Sequence, residues 1–317
     1  MCVEFSLKVW LRAIRFRFLA ASAIAVSCGL ALTVCLNPLE FSVLNAILIY
    51  LGVFCLHSSV DLLNDYFDFK RGIDLRTKKT KFSGGTGVLP EGLLSPTRVY
   101  LAGIVFLLIG LMIGGFFVFS KGYIIGLILL FAAISILLYS TKLVNLGLGE
   151  LFVGIKGMLI VVGTYYVQTS MLAVEAAVLG AVVGLLSSTV LYVNSIPDIK
   201  PDREGGRRTL AILLDRYGDK EKLYFLTGLF VLIYFTAAIF FMQLANDFTI
   251  LLLPAIFLLP LVVKILGGFK NYFNESNDVG DLDYVKIMGN TVLFSRLFGI
   301  ALILGITFVI LFRLNTT

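Results

Sequence analysis

Long apolar runs recur along this chain, separated by short, charged segments. A transmembrane helix needs about 20 consecutive apolar residues. Nine such runs are present, at roughly 18–36, 41–62, 98–119, 122–140, 148–169, 173–195, 223–243, 248–267 and 290–312. In lipid every backbone N–H and C=O must find a partner within the protein, so runs of this kind fold as helices. The pattern predicts an all-α, polytopic membrane protein with about nine transmembrane helices around a central cavity. Residues 1–317 would form one transmembrane domain. Composition agrees: 15% of residues are charged, against about 25% in a typical soluble domain. A soluble enzyme and a disordered chain are both excluded.

The first run follows Lys8, Arg12, Arg15 and Arg17, as a signal peptide would. It is long for that role and lacks a clear small-x-small cleavage site before Asn37-Pro38, so it reads as a retained span. The net charge of +6 does not mark a nucleic-acid binder, because the basic residues lie in loops between apolar runs. Of the 26 Lys and Arg residues, only Lys121 and Arg313 fall on the side opposite the N-terminus. Lys156 and Arg296 lie inside spans, with Glu150 or a loop carboxylate as candidate partners. This bias places the N-terminus and the basic loops in the cytoplasm and the C-terminus outside. Cys2, Cys28, Cys35 and Cys55 form no CxxC pair, so neither a disulfide framework nor a zinc site is expected. The expected partners are the lipid bilayer and small molecules, with no nucleic acid and no obligate protein partner.

Two acid-rich loops, at about 61–97 and 194–222, open to the same side four spans apart. That spacing suggests two parallel four-helix units followed by one more helix. Secondary transporters more often use inverted repeats around a midplane site. If the second span stays helical, His57, Asp61, Asn64, Asp65 and Asp68 share an arc of about 100°. In the second loop Asn194, Asp198 and Asp202 are spaced four apart, although Pro197 and Pro201 interrupt a regular helix. Arg207 and Arg208 follow Gly205-Gly206 and offer two-armed contacts to phosphate. Carboxylates at a membrane boundary are costly and usually functional. Hard oxygen donors suit Mg²⁺, which keeps several waters and joins carboxylates to substrate phosphates.

Two facing clusters of this kind suit a diphosphate, and in a membrane that diphosphate would carry a prenyl tail lying among the apolar helices. Loss of diphosphate leaves an allylic carbocation, and aromatic faces stabilise cations. Tyr139, Tyr165 and Tyr166 are the candidates. Gly84, Gly85 and Gly87 would let the first loop cap the site and keep water from the carbocation.

With Asn64-Asp65-Tyr66-Phe67-Asp68 and the pair Asp198 and Asp202, the chain resembles the UbiA superfamily of intramembrane prenyltransferases. The segments NDYFDFKRGID at 64–74, LGLGE at 146–150, GTYYVQT at 163–169 and DREGGRRTL at 202–210 resemble its 1,4-dihydroxy-2-naphthoate polyprenyltransferase branch, which serves menaquinone biosynthesis. Gly72 stands where many members carry a third Asp, with Asp74 two residues on. The resemblance implies that Asn64, Asp65, Asp68, Asp198 and Asp202 hold Mg²⁺ and diphosphate. Asn194 would support the second cluster, and Arg15, Lys142 and Arg207 would contact phosphate. The implied reaction transfers a prenyl group from a polyprenyl diphosphate to an aromatic acceptor, with 1,4-dihydroxy-2-naphthoate first. The alternatives are 4-hydroxybenzoate or a glycerol-phosphate ether lipid as acceptor. In a different class, the chain would transport divalent cations or lipid phosphates.

Overall fold

The computed structural model describes residues 6–77, 79–138, 142, 144–244, 256–274 and 281–316. Those residues contain helices and no strands. A short helix α1 (Leu7–Ala13) precedes α2 (Leu19–Leu36) and α3 (Val43–Lys70). After a long loop come α4 (Pro96–Lys121), α5 (Tyr123–Leu138), α6 (Gly149–Thr169) and α7 (Val174–Ser195). Two one-and-a-half-turn helices, α8 (Ile199–Glu204) and α9 (Leu210–Asp215), lead into α10 (Asp219–Leu244). The described chain ends with α11 (Leu259–Asn274) and α12 (Asp281–Thr316).

Seven of these helices are long and apolar enough to cross a membrane: α2, α3, α4, α6, α7, α10 and α12. The expected fourth span corresponds to α5, an apolar helix of 16 residues. The expected eighth span, 248–267, lies outside the described residues up to 255, and α11 covers its C-terminal part.

Local chemistry sets the helix ends. Ser42 caps α3 by accepting from the Asn45 amide at 3.3 Å. Ser95 caps α4 in the same way, with Pro96 at the first helical position, where its missing N–H costs nothing. Gly122 separates α4 from α5 at a φ of 98°. On α4, Leu108, Met112, Phe116 and Phe119 stay exposed along one face, while Val99, Gly103, Leu107 and Gly110 are buried on another. A helix apolar on every side faces lipid with one side and protein with the other, and small residues mark the protein side.

α6 packs along α7, and α3 packs along α4. Gly184 makes the first contact possible, because a Cβ there would strike the Gly154 carbonyl of α6. Gly110 and Gly114 on α4 likewise leave room for Leu56 and Leu129, whereas Gly115 faces open space. The main core joins α2, α6, α7, α10, α11 and α12. A smaller core joins α1, α3, α4 and the loop between the last two. Polar contacts close the end of the bundle opposite that loop: Ser42 and Gln168 exchange backbone and side-chain bonds at 2.8 and 3.1 Å.

Candidate active site

The expected arc on the second span forms because α3 stays helical through Lys70. Its last turns bring Asn64 and Asp68 to a cavity of about 370 Å³. The second cluster is built differently. α7 ends at Ser195, the chain turns through Ile196-Pro197, and Asp198 becomes the N-cap of α8. Asp202 follows in the first turn of α8, and both Asp198 and Asp202 line the same cavity as Asn194. The break at Pro197 therefore redirects the cluster toward the first loop without dispersing it.

Arg207 joins the two clusters. Its Nη1 donates to Asp202 Oδ1 at 3.0 Å, and its Nη2 donates to Asp68 Oδ1 in a close ion pair. Asn64 Nδ2 donates to the other oxygen of Asp68 at 2.9 Å. Arg15, at a φ of 47° between α1 and α2, donates to Asp65 at 2.6 Å. Its Nε lies 4.0 Å from Asp61. Asp65 is 2% exposed and does not line the cavity, because it is occupied by Arg15 and by both the amide and the hydroxyl of Thr86.

The glycine-rich loop lies over this assembly. Phe82, Ser83, Gly84 and Gly85 line the cavity. The Gly84 amide bonds the Asp198 carboxylate. Arg12 anchors the loop by donating to the Thr86 carbonyl at 2.7 Å and to both Glu91 oxygens. Burial first, then the neighbouring Asp202 charge, pushes the Asp198 carboxyl up to about 7. Burial, with Asp65 and Asp68 nearby, pushes Asp74 up to about 8. Burial also raises Asp202, against the pull of Arg207. Burial works in the opposite direction on Arg15, but Asp65 and Asp61 outweigh it and hold the guanidinium firmly protonated. The site thus crowds carboxylates in a low-dielectric pocket, where added positive charge is favourable.

Oxygen donors from both clusters face one space, and the Asn194 Oδ1 is buried there without a hydrogen-bond partner. Among the described residues no three His, Cys, Asp or Glu side chains alone enclose a metal site. The oxygen donors of the two clusters fit Mg²⁺, which typically takes one or two carboxylates and completes its shell with water and substrate phosphate.

Several expected residues stand apart from the cavity. Lys142 is exposed and does not line it. Tyr139 lies outside the described residues. Tyr165 and Tyr166 are buried toward the opposite end, bonded to Asn37 at 2.6 Å and to the Lys121 carbonyl at 3.2 Å. Phe18, Phe82 and Phe152 provide the aromatic lining instead. Arg296 donates to the Arg17 carbonyl at 2.6 Å rather than to a carboxylate, and Glu150 keeps a buried oxygen without a partner. The spacing of the acid motifs carried no signal for Thr86, whose role depends on how the loop folds back. Asp61 did have a signal, since it lies on the Asn64–Asp68 arc.

A helical membrane bundle with carboxylates and arginines at one end of a largely apolar cavity defines a class: an integral membrane protein with a charged site at one end of its helices. Residues 19–278 match the UbiA prenyltransferase family. A 1,4-dihydroxy-2-naphthoate octaprenyltransferase of Haemophilus influenzae is 28% identical over 229 residues, covering 69% of this chain and 72% of that protein. Its Bacillus subtilis counterpart is 30% identical over 164 residues, covering 50% of this chain and 51% of that one. The chain thus spans about half the length of this second curated relative. Among solved structures, a UbiA homologue from Archaeoglobus fulgidus bound to GPP and Mg²⁺ superposes with a TM-score of 0.60 at 17% identity, covering 93% of this chain and 99% of that one. The chain belongs to the UbiA prenyltransferase family, which makes it a prenyltransferase.

Proposed function

We propose that this protein transfers a prenyl group from a polyprenyl diphosphate to 1,4-dihydroxy-2-naphthoate at the cytoplasmic face of the membrane. The observation that carries the reading is the convergence of Asp68 and Asp202, one from each acid cluster, on Arg207 across a single cavity. Mg²⁺ held by Asn64, Asp68, Asp198 and Asp202 would neutralise charge developing on the leaving diphosphate. Asp65 would join that set once released from Arg15 and Thr86. Arg15 and Arg207 would then turn from their carboxylates to phosphate oxygens, for which guanidinium geometry is suited. The prenyl chain would lie along the apolar lining, with Phe82 and Phe152 facing the allylic cation. The loop over the cavity would exclude water. In the reaction the C1–O bond to diphosphate breaks and a bond forms from C1 to the ring carbon that bears the carboxylate. The ring's carboxylate leaves as CO₂, returning its electron pair to the ring. Three curated relatives that carry this acceptor's name, at 27–30% identity, favour it over others.

The test is to incubate the purified protein with Mg²⁺, a labelled prenyl diphosphate and each acceptor in turn. The acceptors are 1,4-dihydroxy-2-naphthoate, 4-hydroxybenzoate and a glycerol-phosphate ether lipid. Prenylated naphthoate, with diphosphate released and turnover abolished by EDTA, is the expected result. Product only with another acceptor would reassign the substrate. Cation flux in liposomes without turnover of any acceptor would overturn the reading.

A further inference from the structure

Beneath the carboxylate mouth lies a charged group that the diphosphate site leaves unused. Lys156 sits two turns into α6, roughly 10 Å from its start. It lines both the large cavity and an adjoining, almost wholly apolar pocket of about 130 Å³. Among the described residues its ammonium makes no hydrogen bond and no ion pair, and the side-chain charge that favours it is that of Asp61. Asp61 Oδ2 is buried without a hydrogen bond, 3.6 Å from His57 Nε2. The other nitrogen of that ring is held by Ser22 Oγ at 2.6 Å. From α5, the Ser135 hydroxyl is also buried without a partner on the same cavity.

Three helices thus present a cation, a carboxylate oxygen and a hydroxyl to one space, none of them hydrogen-bonded there. An ammonium facing a largely apolar cavity calls for an anion. Asp61 is already shared with Arg15 and His57. The complement of this trio is a small rigid molecule bearing both a carboxylate and a hydroxyl. We infer that Lys156 recognises the carboxylate of the aromatic acceptor, with Asp61 accepting from a ring hydroxyl. This inference rests on the proposed transfer to an aromatic acid, and adds the residue that selects an acid over an uncharged ring.

Two acceptors separate the possibilities: 1,4-dihydroxy-2-naphthoate and naphthalene-1,4-diol, which lacks the carboxylate. The wild-type protein should turn over the naphthoate with a KM at least ~10-fold lower, the factor expected for one charge-assisted contact. Lys156→Met should raise the naphthoate KM to that of the diol while leaving the KM for prenyl diphosphate unchanged, and Lys156→Arg should keep the preference. Equal KM values for the two acceptors in the wild type would overturn the inference without any variant. An unchanged naphthoate KM in Lys156→Met would do the same, as would an equal rise for both acceptors. Turnover of neither acceptor by the wild type would overturn the underlying reading, and this inference with it.

Discussion

Arg207 stands between two carboxylates that the chain separates by more than a hundred residues, and it is 12% exposed while Asp68 and Asp202 are 5% and 4% exposed at the side chain. Removing it leaves two buried anions facing each other, and breaking a buried pair costs about 3–5 kcal/mol. Arg207→Ala is therefore expected to lower thermal stability measurably and to reduce diphosphate release by at least ~100-fold, about 2.7 kcal/mol in the barrier. Arg207→Lys keeps the charge but not the fork, so most of the stability should return while the rate stays low. Wild-type release from Arg207→Ala would remove Arg207 from the site. Thr86 makes a second case. Thr86→Val deletes a hydroxyl bonded to buried Asp65 and should cost about 1–2 kcal/mol in unfolding free energy. The placement of Asn64 and Asp68 at the cavity was legible from helix periodicity, and that of Asp202 and Arg207 from clustered charge. Thr86 and Ser135 were not, because a lone hydroxyl takes its meaning from what the folded chain places beside it.

The loop from Arg71 to Ser95 is the element that turns two helix ends into an enclosed site, and its glycines differ in what they allow. Gly85 has a φ of 70°, and a Cβ there would lie 2.7 Å from the Asp74 carboxylate. Gly92 has a φ of 67° with open space around it. Gly92→Ala should thus cost only the left-handed backbone strain, about 1–2 kcal/mol. Gly85→Ala adds a clash against the cavity wall and should also lower turnover, which parallel unfolding and diphosphate-release assays would separate. The linker after α7 has its own anchor. Asp215 bonds Arg203 at 2.5 Å and Lys222 at 2.7 Å. Partial burial favours its neutral form, but those two cations prevail and hold its carboxyl below the usual range. A depressed carboxyl stabilises the fold above its unfolded value of about 4, and that stability fades as pH falls through the lower folded value. Asp215→Asn should lower the melting temperature at neutral pH, and the difference from wild type should shrink as pH falls below the usual carboxylate range. The continuity of α3 was readable from its periodicity. The break at Pro197 was readable as a break, but its direction was set by packing against the loop.

Across the whole molecule, the asymmetry of charge between its two ends predicts which face of the membrane each occupies. The helix ends bearing Asp68, Asp202 and the glycine loop gather with α1 at one end. The Asn37, Ser42 and Gln168 contacts close the other. The seven long spans could be read because lipid demands a length and an apolar composition. The core joining distant helices could not, because helices apolar on all sides do not reveal which face meets protein. Lys and Arg are retained in the cytoplasm during insertion, so the end bearing the site should face inward. α4 runs 26 residues, roughly 39 Å at 1.5 Å per residue, enough to cross a hydrocarbon core of about 30 Å. Thr97 and Tyr123 mark its two sides, both exposed. In a background with Cys2 and Cys55 replaced by Ser, the remaining Cys28 and Cys35 are buried. A membrane-impermeant maleimide should then label Thr97→Cys in inside-out vesicles and Tyr123→Cys in right-side-out vesicles. The reverse pattern would invert the protein and move the proposed chemistry to the outer face. Labelling of both from one side would mean that α4 does not span.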